Sequence, residues 1–336
     1  MNIIGLLNQT LNMHINNKNK GIVMISVLLV ILLLSSIAAI LGNKYFVSIK
    51  RFAYLEYQTH ALNYYRGVES ISINRIKDEI DANKNFLPRN HPLLNDRYIF
   101  KANNGSIETK VEDLSNCINI NNLVRNLNGK FIPDQQNIKR IKKLFDMLEY
   151  DEIYINELID QIIDWIDADS DPRDFGIEDY YYTGPLASPM HYSGMRYFNN
   201  IHELKALPIS KSIDWGDISK YLCALPISEQ PYININSLEE GDALLLASAF
   251  IELTSTDAEY IIFNSADEGY DQANTFYNNF SGIQFGDPYL QINFTSNKFM
   301  INSELKTDDF TSLSSTIIYF GKNRNGEILS RTYNGI

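Results

Sequence analysis

Lys18-Asn19-Lys20-Gly21-Ile22 leads into an unbroken apolar run that ends at Leu41. As an α-helix rising about 1.5 Å per residue, Ile22–Leu41 covers the roughly 30 Å hydrocarbon core of a bilayer. The run has no charged side chain; Ser26, Ser35 and Ser36 are its polar ones, and Gly42 follows it. A secretory signal peptide has a shorter apolar core and small residues at its cleavage site. Ser36-Ile37-Ala38 is a weak version of such a site inside a run that is too long. An uncleaved signal anchor is the plainer alternative. Basic residues do not set the orientation, because Lys18 and Lys20 precede the run while Lys44, Lys50 and Arg51 follow it. The rest of the chain has to decide.

The formal net charge of the 336 residues is −12. Phosphate backbones are bound by a surplus of Lys and Arg, so this balance argues against a nucleic-acid partner and suits divalent cations. The length beyond the apolar run accommodates two compact domains. No internal repeat or long low-complexity segment is evident. The two cysteines, Cys117 and Cys223, are compatible with one disulfide in an oxidising compartment or with two buried thiols. Without CxxC, HExxH or paired Cys/His spacing, a zinc site is not indicated.

After the apolar run no proline occurs before Pro88. Phe52, Leu55, Leu62, Tyr65, Ile73, Ile76 and Ile80 share one face of a 3.6-residue helix, with Glu69 as the one discordant charge. The pattern predicts one long helix from Ile22 to Asp81, half in lipid and half laid on a soluble domain. Arg97–Lys101 and Ser106–Val111 read as strands joined at Asn103-Asn104-Gly105, where positive φ is tolerated. From Pro133 to Glu268 helical spacing takes over, in Ile138, Ile141, Leu144, Phe145 and Leu148, then in Ile155, Leu158, Ile162, Ile163 and Ile166. Ser237 with Glu240 forms a capping-box pattern, and Asp257-Ala258-Glu259 opens another helix. Strand patterns return in Leu290–Phe294, Lys298–Leu305, Thr316–Phe320 and Ile328–Tyr333, the last after an Asn325-Gly326 hairpin signal. The predicted class is α+β.

These features together resemble the type II secretion system minor pseudopilin K family (general secretion pathway protein K). The residues that carry the resemblance are a basic leader ending at Gly21 and Ser26 at the fifth position after it, where other pseudopilins have an acid. Leu158–Arg173 followed by Glu178-Asp179-Tyr180-Tyr181, and Leu225-Pro226 followed by Ile233-Asn234-Ile235-Asn236-Ser237, complete the match. The resemblance implies a type IV pilin-like fold, a long transmembrane helix packed on an antiparallel sheet, with a large inserted α-helical domain of SAM-like or helix-hairpin-helix-like form. On that reading 1–21 is a prepilin leader, 22–42 the transmembrane helix, and 43–132 the first part of the pilin-like domain. Residues 133–268 are then the insertion and 269–336 the C-terminal strands. It further implies cleavage by a prepilin peptidase between Gly21 and Ile22 and methylation of the new terminus. The subunit would sit in the inner membrane of a Gram-negative bacterium with its soluble domain in the periplasm. There it would stand at the pseudopilus tip with minor pseudopilins I and J and above other pseudopilins. A tip subunit has no neighbour above it to satisfy, so a costly buried carboxylate in place of Ser26 is dispensable.

Asp167, Asp169, Asp171 and Glu178 occupy the first, third, fifth and twelfth positions of a calcium-loop spacing. Pro172 stands where an EF-hand needs Gly, and Asp174 where it is apolar, so the expectation is a Ca²⁺ loop of different geometry that also uses Asp179 or Asp164. The competing reading is a solvated acidic turn. Ile233-Asn234-Ile235-Asn236-Ser237 also resembles the start of a DNA-binding helix-hairpin-helix, but Glu239, Glu240 and Glu252 surround it where basic residues are needed. It reads as the same architecture used for packing.

No catalytic set emerges. His60, His91, His191 and His202 stand alone, and no GxSxG elbow is present. The alternatives are a minor pilin of a type IV pilus, acting in adhesion or DNA uptake, and a membrane-anchored periplasmic enzyme. Peptidase recognition at Gly21 requires a residue without a side chain in a close-fitting site. Intact-mass analysis of the membrane-bound protein is expected to show a terminus at methylated Ile22. A mature chain beginning at Met1 or beyond Ala38 refutes the prepilin reading.

Overall fold

The structure, a computed structural model, describes residues 3–82, 87–102, 104–185, 190, 192–227, 229–321 and 324–335, with backbone alone for 3–20 and 217. The chain divides into two units, Met1–Asn63 and Tyr64–Ile336. Helix α1 spans Ile3–Ala82. In the first unit, the side chains of Ile22–Leu41 are exposed along the whole membrane-length run. Ser26 Oγ donates to Val23 O at 2.9 Å, so its hydroxyl is satisfied within its own helix.

The second unit is built on an antiparallel sheet of five strands: β1 (Arg97–Ala102), β2 (Gly105–Asp113), β3 (Lys298–Thr307), β4 (Thr311–Phe320) and β5 (Gly326–Asn334). They lie side by side in chain order, so the sheet is a meander interrupted once, between β2 and β3. The alternation is legible in burial: Ile107 and Val111 of β2, Phe299, Ile301 and Leu305 of β3, and Ile318 and Phe320 of β4 point inward. Ile76 of α1 and Leu93 complete this core, with Ile73 and Ile80 packed against it. Ala102 pairs with Gly105, so Gly105 is a strand residue and Asn104 belongs to the turn. Asn104 has φ 57°, while Asn103 lies outside the described residues. Gly105 is needed for a different reason: a Cβ there would collide with Lys306 O. At the other hairpin Phe320 pairs with Gly326, so Gly326 is again in the strand and positive φ falls on Arg324.

Glu69, discordant in the sequence, is explained by β5. Arg331 grips its carboxylate with both Nε (2.8 Å) and Nη2 (2.7 Å), and Thr316 Oγ1 donates to it at 2.9 Å. The carboxylate is buried and all its strong partners come from the sheet, which locks the register of the helix on the strands.

Between Asp113 and Lys298 the chain leaves the sheet and forms two lobes. The first has a core of Ile138, Ile141, Leu144 and Phe145 from α2 (Gln135–Met147) and Leu158, Ile162, Ile163 and Ile166 from α3 (Glu152–Ile166). The second packs Ile233, Leu246, Phe250, Ile261 and Phe276. The expected division at Glu268 falls inside this second lobe, which includes the helix Ala273–Asn279. Gln291–Asn293, expected among the C-terminal strands, pairs in parallel with Tyr232–Asn234 instead. Ser237 caps no helix; its hydroxyl donates to Asp113 Oδ2 at 2.6 Å, and the capping box joins Glu239 and Asp242. Thr254 caps the helix Ser255–Phe263 that Asp257 was expected to open.

The lobes also reveal an internal repeat that the sequence reading overlooked. Ile118-Asn119-Ile120-Asn121 and Ile233-Asn234-Ile235-Asn236 each form a short strand followed by a 3-10 turn. Each strand pairs in parallel with a returning segment, Leu222–Cys223 or Gln291–Asn293. In each, the second Asn is buried and its amide nitrogen donates to backbone carbonyls: Asn121 to Phe198 and Leu225, Asn236 to Leu87, Tyr270 and Phe294. Two four-residue blocks are too short to register as a repeat until their hydrogen bonds are compared. Cys117 and Cys223 form a disulfide beside the first parallel pair.

Arg331→Met leaves Glu69 buried without its cation and is expected to cost about 2 kcal/mol in urea unfolding. Glu69→Leu, which leaves the partly exposed Arg331 to water, should cost less. The reverse order of the two losses would show that the pair does not set the helix register.

Candidate metal centre

Helix α3 starts where Asp151 accepts from Ile153 N at 2.9 Å. It buries Ile155, Leu158, Ile159, Ile162, Ile163 and Ile166 in the first lobe, and this packing holds its C-terminal turn in place. Asp160 and Asp164, four residues apart, share a face of that turn. The helix stops at Asp167, whose N–H still bonds Ile163 O at 3.0 Å. Asp169 Oδ1 then accepts from Asp171 N at 3.1 Å, an Asx-type turn that leads the chain away from the helix axis.

The loop is folded back by the two helix carboxylates. Asp160 takes Arg173 Nε at 2.7 Å and Phe175 N at 3.2 Å, while Asp164 Oδ2 takes Arg173 N at 3.1 Å. Gly176 lies so close to Asp164 that a Cβ there would overlap its carboxylate. This return brings Glu178 opposite the end of α3. One oxygen from each of Asp167, Asp169 and Glu178 lies within 4.8 Å of the others. Of the sequence-selected residues, Asp171 and Asp179 are not in this group. Asp171 is exposed, and Asp179 Oδ1 accepts from both the amide and the hydroxyl of Ser193 at 2.8 Å. Pro172 biases the residue before it toward extended backbone, which interrupts the calcium-loop path at its fifth position. The Asp160–Arg173 clamp was missed in the sequence; the i, i+4 spacing of Asp160 and Asp164 was the available signal.

The electrostatics of the group are those of crowded, partly desolvated acids. Burial, then the nearby Asp164, Asp167, Asp169 and Asp179, pushes Glu178 up to about 7. Burial, opposed by the bond from Arg173 N, leaves Asp164 at about 7; burial and Asp169 raise Asp167 to about 6. Oδ1 of Asp164, Oδ1 of Asp167 and Oε1 of Glu178 are buried with no hydrogen-bond partner. Asp164 and Asp167 also sit at the negative end of the α3 dipole, which adds to the cost of their charge. A cation among them would relieve all of these penalties at once. Two oxygens that each stand about 2.4 Å from one Ca²⁺ are at most about 4.8 Å apart, so the spacing fits.

The other candidate residues have structural partners. His60 Nε2 lies 3.8 Å from Glu56; His91 caps the turn Pro92–Asn95 through Leu93 N at 3.2 Å and meets Glu79 at 3.3 Å. The ring of His202 meets that of Trp215 at a tilt, with centroids 5.2 Å apart, and His191 lies outside the described residues. Gly21 and Ile22 lie within α1, both exposed, and nothing lies within 4 Å of where a Cβ on Gly21 would stand. Its own fold therefore does not demand glycine at this position.

A membrane-length helix, a pilin-like helix-on-sheet unit and a two-lobed insertion with an acidic loop define the class. The family described as type II secretion system (T2SS), protein K, matches residues 116–227, which is the first lobe. The chain is 23% identical over 260 residues to type II secretion system protein K of Aeromonas hydrophila, covering 75% of this chain and 78% of that protein. With the protein of the same name from Pseudomonas aeruginosa it shares 26% over 230 residues, 68% of this chain and 65% of the other. The Klebsiella pneumoniae protein K is 25% identical over 264 residues, 78% of this chain and 79% of its own length. A chain of the crystal structure of the GspK–GspI–GspJ complex from enterotoxigenic Escherichia coli superposes with a TM-score of 0.70. That match has 18% identity and covers 83% of this chain and 97% of the other, so the two have the same fold. This chain is similar, in its first lobe and along most of its length, to proteins described as type II secretion system protein K.

Proposed function

We propose that the chain is a minor pseudopilin that stands at the tip of a periplasmic pseudopilus with minor pseudopilins I and J, where it supports assembly and the export of folded proteins. The observation that carries this reading is the combination of a membrane-length exposed helix with a helix-on-sheet unit interrupted by a large two-lobed insertion. The likeness to a chain of the GspK–GspI–GspJ complex supports the choice of partners. On this reading the protein is an assembly component and not an enzyme. Gly21, unconstrained by the fold, serves the prepilin peptidase, and Ile22 becomes the methylated terminus. The insertion between Asp113 and Lys298 is too bulky to lie between stacked subunits. Bulk and the neutral Ser26 both suit a subunit with nothing above it. Site-specific crosslinks from the insertion are expected only at the filament end. Crosslinks that place it midway along a native shaft would sink the tip assignment.

The acidic loop binds Ca²⁺ in this proposal. Asp167, Asp169 and Glu178 supply hard oxygen ligands, and Asp164 is the nearest reserve of a further one. The ion would tie the end of α3 to the loop that returns at Glu178, so its role is to stiffen the first lobe. Linkage makes the gain about 2.7 kcal/mol when free Ca²⁺ is about 100 times its dissociation constant. Asp167→Ala with Asp169→Ala is expected to abolish that gain in thermal melts. Equal melting temperatures in EDTA and in millimolar calcium would leave a solvated acidic turn.

A further inference from the structure

Charge is distributed along this chain with an abrupt boundary. The first 55 residues carry five Lys and Arg and no Asp or Glu; all 41 acidic residues follow, beginning at Glu56. Three of the five basic residues, Lys44, Lys50 and Arg51, stand just past the apolar run, together with Tyr45 and Phe46. This segment is helical and exposed on every side, with Tyr45 70% and Phe46 56% accessible. Exposed aromatic rings beside basic side chains, adjoining a membrane-length apolar run, are the composition of a membrane–water interface.

The geometry sets the depth. Lys44 lies about 4.5 Å along the helix axis from Leu41, within the roughly 5–7 Å headgroup layer of one leaflet. Lys50 and Arg51 begin farther out, but helical side chains lean toward the N-terminus, which here is toward the membrane. Lys50 shows this directly: its Nζ lies over the ring of Phe46, 4.9 Å from the centroid and one turn closer to the apolar run. Lys44 and Arg51, seven residues apart, share a helix face, while Lys50 stands with Phe46 about 120° around the axis from Lys44. The three cations thus form a band around the helix just past the apolar run, and the nearest carboxylate in sequence is beyond them, at Glu56.

We propose that Lys44, Lys50 and Arg51, with Tyr45 and Phe46, form a basic and aromatic band that engages the phosphate headgroups of anionic phospholipids. Lys and Arg hold the phosphates and the rings sit at the glycerol level. Such a band fixes the depth of the helix while the subunit waits in the bilayer, and its lipids must be released when the subunit leaves. The proposal rests on the membrane-spanning reading of Ile22–Leu41. An acidic surface of another protein offers the same charge, but the depth of the cluster and its aromatic flank favour lipid.

The test uses the full chain in neutral detergent, titrated with phosphatidylglycerol or with phosphatidylcholine and read by native mass spectrometry. Each basic group near an anionic lipid surface contributes enough for three of them to give a preference of at least about tenfold for phosphatidylglycerol. Lys44→Gln/Lys50→Gln/Arg51→Gln should erase the preference, and Lys44→Arg/Lys50→Arg/Arg51→Lys should keep it. Lys18→Gln/Lys20→Gln, at the other end of the run, should also keep it. Equal retention of both lipids, or a preference that survives the triple glutamine variant or disappears with Lys18 and Lys20, overturns the proposal. Carboxylate crosslinks from Lys44 or Lys50 to a second copy, without lipid preference, would assign the cluster to a protein contact instead. A chain that stays soluble without detergent and retains neither lipid would overturn the membrane reading as well, which separates the two failures.

Discussion

The pairing of β2 with β3 is the constraint on which the rest of the second unit depends. It sets Asp113 opposite Phe299, and just beyond it Leu114 N bonds Lys298 O at 2.9 Å. Two points far apart in the chain are thereby held side by side, and the insertion leaves and rejoins the sheet at one root. That root is polar and buried. The hydroxyls of Ser115 and Ser296 meet, Tyr232 donates to Asn297 at 2.6 Å, and Lys298 reaches Glu229 at 3.2 Å under the ring of Tyr232. Directional bonds at such a place specify one arrangement where apolar contacts would permit several.

Above the root the two lobes solve one problem twice. A chain that leaves a sheet must satisfy its own backbone before it can bury side chains. Asn121 and Asn236 do this for the irregular segments around them, each by linking carbonyls from distant parts of its lobe. The disulfide closes a loop with a sequence separation of 106 in the first lobe. Chain-entropy estimates assign about 4.7 kcal/mol to closing a loop of such length. The second lobe has no such bond and relies on its aromatic core of Phe250, Phe276, Phe280 and Phe285.

The acidic loop shows how far residue spacing carries. Asp167, Asp169 and Glu178 were legible from a one-three-twelve pattern, because residues close in sequence are constrained to be close in space. Asp171 belonged to the same pattern and does not join them, and Asp179 is taken up by Ser193, a partner that no local pattern indicates. The group assembles only because Asp160 and Arg173 draw the loop back along α3, so that Glu178 meets the helix end.

The sequence by itself determined the elements whose signal is local. The membrane-length run, the long helix, the strands on both sides of the insertion, and α2 and α3 follow from apolar periodicity over windows of ten to twenty residues. Tertiary structure alone decided the partner of Glu69, the transfer of Gln291–Asn293 from the main sheet to the second lobe, and the kinship of the two Ile-Asn-Ile-Asn blocks. Each of these turns on a hydrogen-bonding group whose partner lies many residues away. A one-dimensional pattern shows that a polar group is present at a buried position, and only the folded chain decides which distant group meets it.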